Sequence, residues 1–256
     1  MRQTALITGA SSGIGADLAR LFARDGYELV LVARSEGKLQ ELAKELCVTA
    51  TVIATDLSKP GAAQHIADAL VDKSINIDVL VNNAGFGLGG AFAEADLKTS
   101  VEMIQVNCVA VTELTRLLLP PMVSRNRGRI LNVASTAAFQ PGPYMAIYYA
   151  TKAYVLSFSE AIADELRHTD VTVTALCPGP TATGFGSVAG VEEARLFTMM
   201  KPMSSAEVAR KGFEGMKRGR RIVVTGMMNR LLVQSNRISP RRMVTTIVRK
   251  LQESRL

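Results

Sequence analysis

The sequence predicts an α/β protein with one doubly wound parallel sheet of about seven strands and helices on both faces. Three observations carry that prediction. Short apolar runs alternate with stretches of helical period, the pattern of parallel strands and their crossover helices. Several runs are continuously apolar rather than alternating, as strands covered on both faces must be. The residues with chemical potential cluster where the runs end, which is where open α/β sheets bind ligands.

Taken in order, Thr4–Thr8 is a short apolar strand that runs into Gly9-Ala10-Ser11-Ser12-Gly13-Ile14-Gly15. Ile14, Leu18, Leu21 and Phe22 then recur at helical spacing up to Asp25-Gly26. Strand, glycine loop and helix together form a dinucleotide-binding context. The glycines allow a tight turn and close approach of backbone N–H groups to a pyrophosphate, and the helix N-terminus favours the anion. Leu29–Ala33 is the second strand and ends in Arg34-Ser35. A helix bearing Leu39, Leu42 and Leu46 follows, then strand Thr51–Thr55 ending in Asp56. Ala62–Val71 reads as a helix. Ile77–Val81 reads as a strand ending in Asn82-Asn83-Ala84-Gly85. A long helical stretch, Leu97–Val123, carries Asn107 in its middle and is bent or broken by Pro120-Pro121. Strands Arg129–Ala134 and Val171–Leu176 flank helix Ile147–Arg167, and the second of them ends in Cys177-Pro178-Gly179-Pro180.

The stretch Ser135–Lys152 organises this framework. Tyr148 and Lys152 are four apart and share one helical face. Ser135 ends a strand, and Pro141-Gly142-Pro143 marks a loop between. A hydroxyl, a phenol and an ammonium so placed can converge on one carbonyl oxygen. Taken alone, Tyr-x-x-x-Lys fits an ordinary amphipathic helix with a buried tyrosine equally well.

Beyond Pro178 the pattern loosens. Residues 181–203 are rich in Thr, Gly and Met and are expected to form a substrate lid. The Phe, Leu and Met of residues 185–203 suggest an apolar pocket wall, and so a fatty, steroid-like or aromatic carbonyl rather than a sugar. Ala206–Lys217 reads as a helix and Arg221–Thr225 as the seventh strand. Met227–Leu256 interleaves Leu and Ile with Arg and Lys as one or two basic amphipathic helices, broken near Ser239-Pro240. Residues 1–180 are expected to form the cofactor-binding and catalytic core of a single domain spanning 1–256.

Composition narrows the function. The chain has 256 residues, 48% hydrophobic and 21% charged, the balance of a soluble globular protein. It lacks a run of eighteen apolar residues, and neither a membrane span nor a signal peptide is expected. Cys47, Cys108 and Cys177 have no metal-type spacing, which points to a reducing cytoplasm. With only His65 and His168, a zinc site and a Ser-His-Asp triad are excluded, and no metal is expected. Residues 201–256 hold 14 Lys/Arg and 3 Asp/Glu, a net of +11. That excess suits a solvated helical face, an anionic membrane surface, or a patch attracting nucleotide or acyl-phosphopantetheine phosphates. A nucleic-acid surface is not expected, because Met227–Leu256 contains no aromatic residue for base stacking.

Thr8-Gly9-(x)3-Gly13-Ile14-Gly15, Asn82-Asn83-Ala84-Gly85, Asn107, Ser135, Tyr148-(x)3-Lys152 and Pro178-Gly179-(x)3-Thr183 resemble, in order and spacing, the short-chain dehydrogenase/reductase family over about residues 4–225. The tail more weakly resembles a branch containing 3-ketoacyl-CoA and 17β-hydroxysteroid reductases. The resemblance implies a Rossmann-type fold and a carbonyl/secondary-alcohol oxidoreductase. It makes Tyr148 the general acid/base, Lys152 the group that stabilises the phenolate and holds the nicotinamide ribose, Ser135 the substrate-orienting hydroxyl, and Asn107 the holder of a relay water. The cofactor would lie along Gly9, Ser11, Ser12, Gly13, Ile14, Gly15, Arg34, Ser35, Asp56, Leu57, Asn83, Ala84, Gly85, Tyr148, Lys152, Pro178, Gly179, Thr181 and Thr183. Asp56 and Asn83 also fit simple helix or turn caps. Arg34 ends the second strand where an acidic residue would select NAD, so NADP(H) is expected. The family also implies a homodimer or homotetramer built on the Leu97–Val123 and Ile147–Arg167 helices. The rival is a regulatory or scaffold protein of the same fold. Loss of Ser135, Tyr148 or Lys152 would favour it, and none is lost.

Overall fold

Strands β1 (Thr4–Thr8), β2 (Glu28–Ala33), β3 (Ala50–Ala54), β4 (Val79–Asn82), β5 (Gly128–Val133), β6 (Val171–Cys177) and β9 (Ile222–Val224) form one sheet in the order β3-β2-β1-β4-β5-β6-β9. Every pairing in it is parallel. The computed structural model describes residues 2–190 and 202–253. Two-residue strands β7 (Thr181–Ala182) and β8 (Met203–Ser204) make a separate parallel pair.

The sheet is covered on both faces, as its apolar runs require. Alternation along β1 and β2 sends Ala5, Ile7, Leu29 and Leu31 to one core and Leu6, Val30 and Val32 to the other. The first core is closed by α1 (Gly13–Arg24), α2 (Glu36–Leu46) and α8 (Ser205–Lys217), with Phe22 edge-on to Tyr27 and Phe213. The second is closed by α3 (Ala62–Asp72) and α5 (Ala110–Ser124) through Ile66, Leu70 and Leu114.

The long helical stretch expected over 97–123 divides into α4 (Leu97–Ile104) and α5, joined by a wide turn of i→i+5 character over Gln105–Val109. Asn107 sits in that turn. Pro120 and Pro121 do not end α5, which continues to Ser124. The combined run Leu97–Ser124 is long and apolar enough to cross a membrane by composition. Here it lies on the sheet, burying Met103, Ala110, Leu114 and Met122.

Helix α6 (Ala146–Glu165) packs on β5 and β6, and a short α7 (Phe185–Ala189) follows β7. The basic tail forms two helices, α9 (Met227–Ile238) and α10 (Arg241–Gln252), with the break at Ser239-Pro240. Of the lid expected over 181–203, residues 191–201 lie outside the described residues.

From β1 the sheet grows outward in both directions, to β2 on one side and β4 on the other. The chain therefore switches direction there and leaves a crevice beyond the strand ends.

Candidate active site

That crevice is a cavity of about 800 Å³. It runs from the glycine loop past the ends of β2 and β3, along Ala84–Gly87, to Ser135 and Tyr148, and on to the two tail helices. Of the residues singled out in the sequence, Gly9, Ser11, Ser12, Gly13, Ile14, Arg34, Ser35, Asp56, Leu57, Asn83, Ala84, Gly85, Ser135, Tyr148, Lys152, Pro178, Gly179, Thr181 and Thr183 all line it. Gly15 and Asn107 do not. A Cβ on Gly15 would strike the Gly9 carbonyl oxygen, so this glycine lets the first helix close on its own loop.

The loop is fixed from behind by β4. Asn83 Nδ2 donates to the carbonyl oxygens of Thr8 (2.9 Å) and Gly9 (3.2 Å), and Thr8 Oγ1 accepts from the backbone N–H groups of Asn83 and Ala84. Gly9 has φ +65°, and a Cβ there would lie 2.8 Å from Asn83 Nδ2. Asn83 thus braces the glycine turn from across the sheet while it also lines the cavity.

Asp56 accepts from the backbone N–H of Ser58 at 3.0 Å. Burial pushes its carboxyl up, but the Ser58 hydrogen bonds, with Arg34 and Lys59 nearby, outweigh this and leave it below its usual value. Arg34 is exposed at the cavity edge beside Ser35 and makes no ion pair or hydrogen bond among the described residues. Its guanidinium is open to a phosphate.

At the other end, α6 presents Tyr148 and Lys152 one turn apart. Lys152 is 5% exposed, and its Nζ donates to the Val133 carbonyl oxygen at 2.8 Å. Burial lowers its pKa from 10.5 to about 8, opposed by Cys108 and Cys177. Burial also raises the Tyr148 phenol above its ordinary value, and the Ser135 hydroxyl pulls it partly back. Ser135 Oγ accepts from the Ala137 N–H at 3.1 Å, capping the single turn Thr136–Phe139. Tyr149 lines the same cavity with its Oη engaged, accepting from Gln252 Nε2 at 2.7 Å, and Tyr144 is 38% exposed.

Asn107 lies behind this wall, 1% exposed. Its Oδ1 accepts from the Phe86 N–H (3.2 Å), and its Nδ2 donates to the Phe86 carbonyl (3.0 Å) and to Thr151 Oγ1 (3.0 Å). It therefore ties the β4 loop to the helix that carries Tyr148 and Lys152. A Cβ on Gly85 would fall 3.0 Å from Asn107 Oδ1 and 3.3 Å from Lys152 Nζ. That close approach, with the glycine turn and the free Arg34, is a cradle of the shape and charge a dinucleotide needs.

The sequence offered Phe, Leu and Met of 185–203 as an apolar pocket wall and closure of the cleft as one role of the tail, but did not single out the individual side chains of the far wall. Ala137, Met145, Tyr149, Val244 and Val248 pack together there with Tyr148 and Phe185, and Gln252 closes the end. In the sequence, Val244, Val248 and Gln252 stand at i, i+4 and i+8, a stripe whose partner is not written in the chain.

A dinucleotide crevice ending at a serine, a tyrosine and a lysine defines a nicotinamide-type oxidoreductase. Residues 3–193 match the model described as short chain dehydrogenase, and the chain belongs to that family. The ketoacyl reductase HetN of Nostoc sp. is 32% identical over 246 residues, covering 93% of this chain and 85% of HetN. The NADP-dependent 3-hydroxy acid dehydrogenase YdfG of Escherichia coli is 38% identical over 178 residues, covering 68% of this chain and 71% of YdfG. A short-chain dehydrogenase from Sphingobium yanoikuyae, solved with NADPH, superposes with a TM-score of 0.82 at 31% identity and covers 98% of each chain.

Proposed function

We propose that this enzyme uses NADP(H) to interconvert a ketone and a secondary alcohol on an apolar substrate such as a simple ketone, a 3-oxoacyl thioester or a steroid-like carbonyl. One observation carries the reading: Ser135, Tyr148 and Lys152 line the same cavity as Arg34, which has no ion-pair partner among the described residues. The bound nicotinamide would supply or accept the hydride. Gly9, Ser11–Ile14, Asp56-Leu57, Asn83–Gly85, Pro178-Gly179, Thr181 and Thr183 would hold the cofactor, and Arg34 with Ser35 its 2′-phosphate.

Burial makes the phenolate of Tyr148 costly, so the phenol stays protonated at neutral pH, the state a general acid needs for carbonyl reduction. Ser135 would hydrogen-bond the substrate oxygen and orient it toward Tyr148. Lys152, anchored on Val133, places positive charge beneath the phenol and would offset the phenolate as the proton leaves. Asn107, engaged with Phe86 and Thr151, would hold the loop and helix in register, with a relay water as its further role. Met145, Phe185, Val244 and Val248 support an apolar substrate, and the names of the ketoacyl and 3-hydroxy acid relatives support a ketone/secondary-alcohol pair. Leu97, Val101 and Ile104 on α4 and Tyr154 on α6 are exposed, which supports self-association through these helices.

The deciding experiment is a panel of ketones, 3-ketoacyl thioesters, steroid ketones, aldehydes and sugars, assayed by NADPH consumption. Turnover of at least one apolar ketone is expected. Activity confined to sugars, or none with any member while NADPH binds, would overturn the assignment.

A further inference from the structure

Each tail helix closes the apolar end of the cavity with one face and leaves another face that the chemistry does not use. Helix α9 turns Asn229, Val233 and Asn236 inward, with Asn229 Nδ2 donating to the Thr225 carbonyl at 2.7 Å. Helix α10 turns Val244, Val248 and Gln252 inward. On the outer side of α9, Met227, Leu231 and Ile238 form one stripe and are 80%, 61% and 89% exposed. Met228 and Leu232 lie beside them, and Met243 and Ile247 are half exposed on α10. A cluster of that size left in water is unusual on a soluble surface.

Basic residues surround it. Arg230, Arg237, Arg241, Arg242, Arg249 and Lys250 stand on the same two helices, and among the described residues of 227–253 Glu253 is the one acidic group. Leu232 and Ile247 belong both to this surface and to the cavity wall, so the cavity opens within the patch.

We propose that this surface docks on an anionic lipid bilayer, with the apolar substrate passing from the lipid into the cavity between α9 and α10. Apolar side chains flanked by arginines on short amphipathic helices suit the headgroup boundary, where the one group enters the acyl region and the other meets lipid phosphates. A second copy of this chain is disfavoured here, because a two-fold contact would set the same cations against each other. A nucleic acid would neutralise the arginines but leave five large apolar side chains of α9 in water. The docking stands by itself; the route of the substrate rests on the function proposed above.

The full chain is sedimented with vesicles of phosphatidylcholine alone and of phosphatidylcholine with phosphatidylglycerol. Binding is expected to the anionic vesicles and not to the neutral ones, and to fall as salt is raised. The variant Arg241→Glu/Arg242→Glu should weaken it on the order of tenfold or more. The variant Leu231→Gln/Ile238→Gln should abolish it; these side chains are exposed, so the melting temperature should be unchanged. Turnover of a water-soluble ketone with NADPH, measured without vesicles, reads the active site independently. Equal binding to both vesicle types, no binding, unaffected variants, a dimer lost in Leu231→Gln/Ile238→Gln, or preferential capture of RNA or DNA would each overturn the proposal.

Discussion

Lys152 holds its Nζ 5.7 Å from the centre of the Tyr148 ring while donating to the Val133 carbonyl at 2.8 Å. The strand end thus fixes the ammonium that faces the phenol. Tyr148→Phe removes the proton donor without a change in packing volume. It should lower kcat by at least about a hundredfold, the lower range for general acid catalysis, with NADPH affinity within a few-fold of wild type. Lys152→Ala should harm both turnover and affinity. Near wild-type kcat in Tyr148→Phe on a good ketone would falsify the assignment.

The same lysine is a stability liability. Its pKa falls from 10.5 to about 8 on folding. Below pH 8 the folded state carries a buried charge; between about 8 and 10.5 the unfolded chain binds more protons, so stability rises with pH through that window. Lys152→Met removes this cost and should be more stable than wild type at pH 7, its margin shrinking by about 2 kcal/mol by pH 10. Cys108 and Cys177 lose the neighbouring Lys152 charge in the variant, which pushes both buried thiols further up. They are already raised to about 11 and about 12 in the folded wild type, so up to pH 10 they stay largely protonated in either protein and the lysine dominates the difference. Urea unfolding without added cofactor, repeated across the pH range, measures it; a margin independent of pH contradicts the titration.

Beneath the site, Asn132 joins two strands to α6. Its Oδ1 accepts from Asn82 Nδ2 (2.9 Å), its Nδ2 donates to Ser159 Oγ (2.9 Å), and it is fully buried. Asn132→Leu takes one partner from each of Asn82 and Ser159, which keep Thr115 Oγ1 and the Val155 carbonyl, and should cost about 2–3 kcal/mol. Thr115→Val, which deletes only the longer 3.2 Å acceptor of Asn82, should cost about 1 kcal/mol. Equal losses in the two variants would show that the network does not distribute the load in this way.

Val248, 7% exposed, packs on the cluster around Tyr149 and Phe185. Val248→Ala removes two buried methyl groups, about 1–2 kcal/mol of packing, and widens the apolar wall. The expected signature is a KM for the best ketone raised several-fold, with the pH profile of kcat unchanged because Tyr148 is untouched. A shifted profile with constant KM would move Val248 from substrate wall to proton chemistry.

The strands, their parallel order and the Tyr148/Lys152 pair were legible because each leaves a periodic trace: two-sided apolar runs, and a spacing of four on a helix. The wide turn at Asn107 was not, since one extra residue within a helical run leaves the apolar pattern almost intact. Asn83 carried two readings in the sequence, and its hydrogen bonds to Thr8 and Gly9 make it the brace of the glycine turn. The tail showed its amphipathic stripe and allowed the substrate cleft, a partner subunit or an anionic surface as what it covers, but did not choose between them, because the contact between Gln252 and Tyr149 spans 103 positions and no local rule predicts it.

Cofactor choice turns on the end of β2. NADP differs from NAD by a phosphate on the adenosine ribose, and the chain there reads Ala33-Arg34-Ser35, with no carboxylate before Glu36. Arg34 is exposed and unpaired among the described residues, so binding a phosphate breaks no existing ion pair, and its fork can form charge-assisted hydrogen bonds. Asp56 also lines this end of the cavity and keeps its charge through Ser58. Without the arginine the local field would therefore be negative. Arg34→Asp adds a carboxylate to that field and should cost about 2–3 kcal/mol of NADPH-over-NADH preference, roughly 30- to 150-fold in kcat/KM. Raising salt should erode the wild-type preference for NADPH and relieve the variant's discrimination against it, because screening weakens an attraction to the phosphate in the one and a repulsion in the other. A wild-type enzyme that prefers NADH, or an Arg34→Asp variant with its preference intact, would place the phosphate-reading group elsewhere in the cavity.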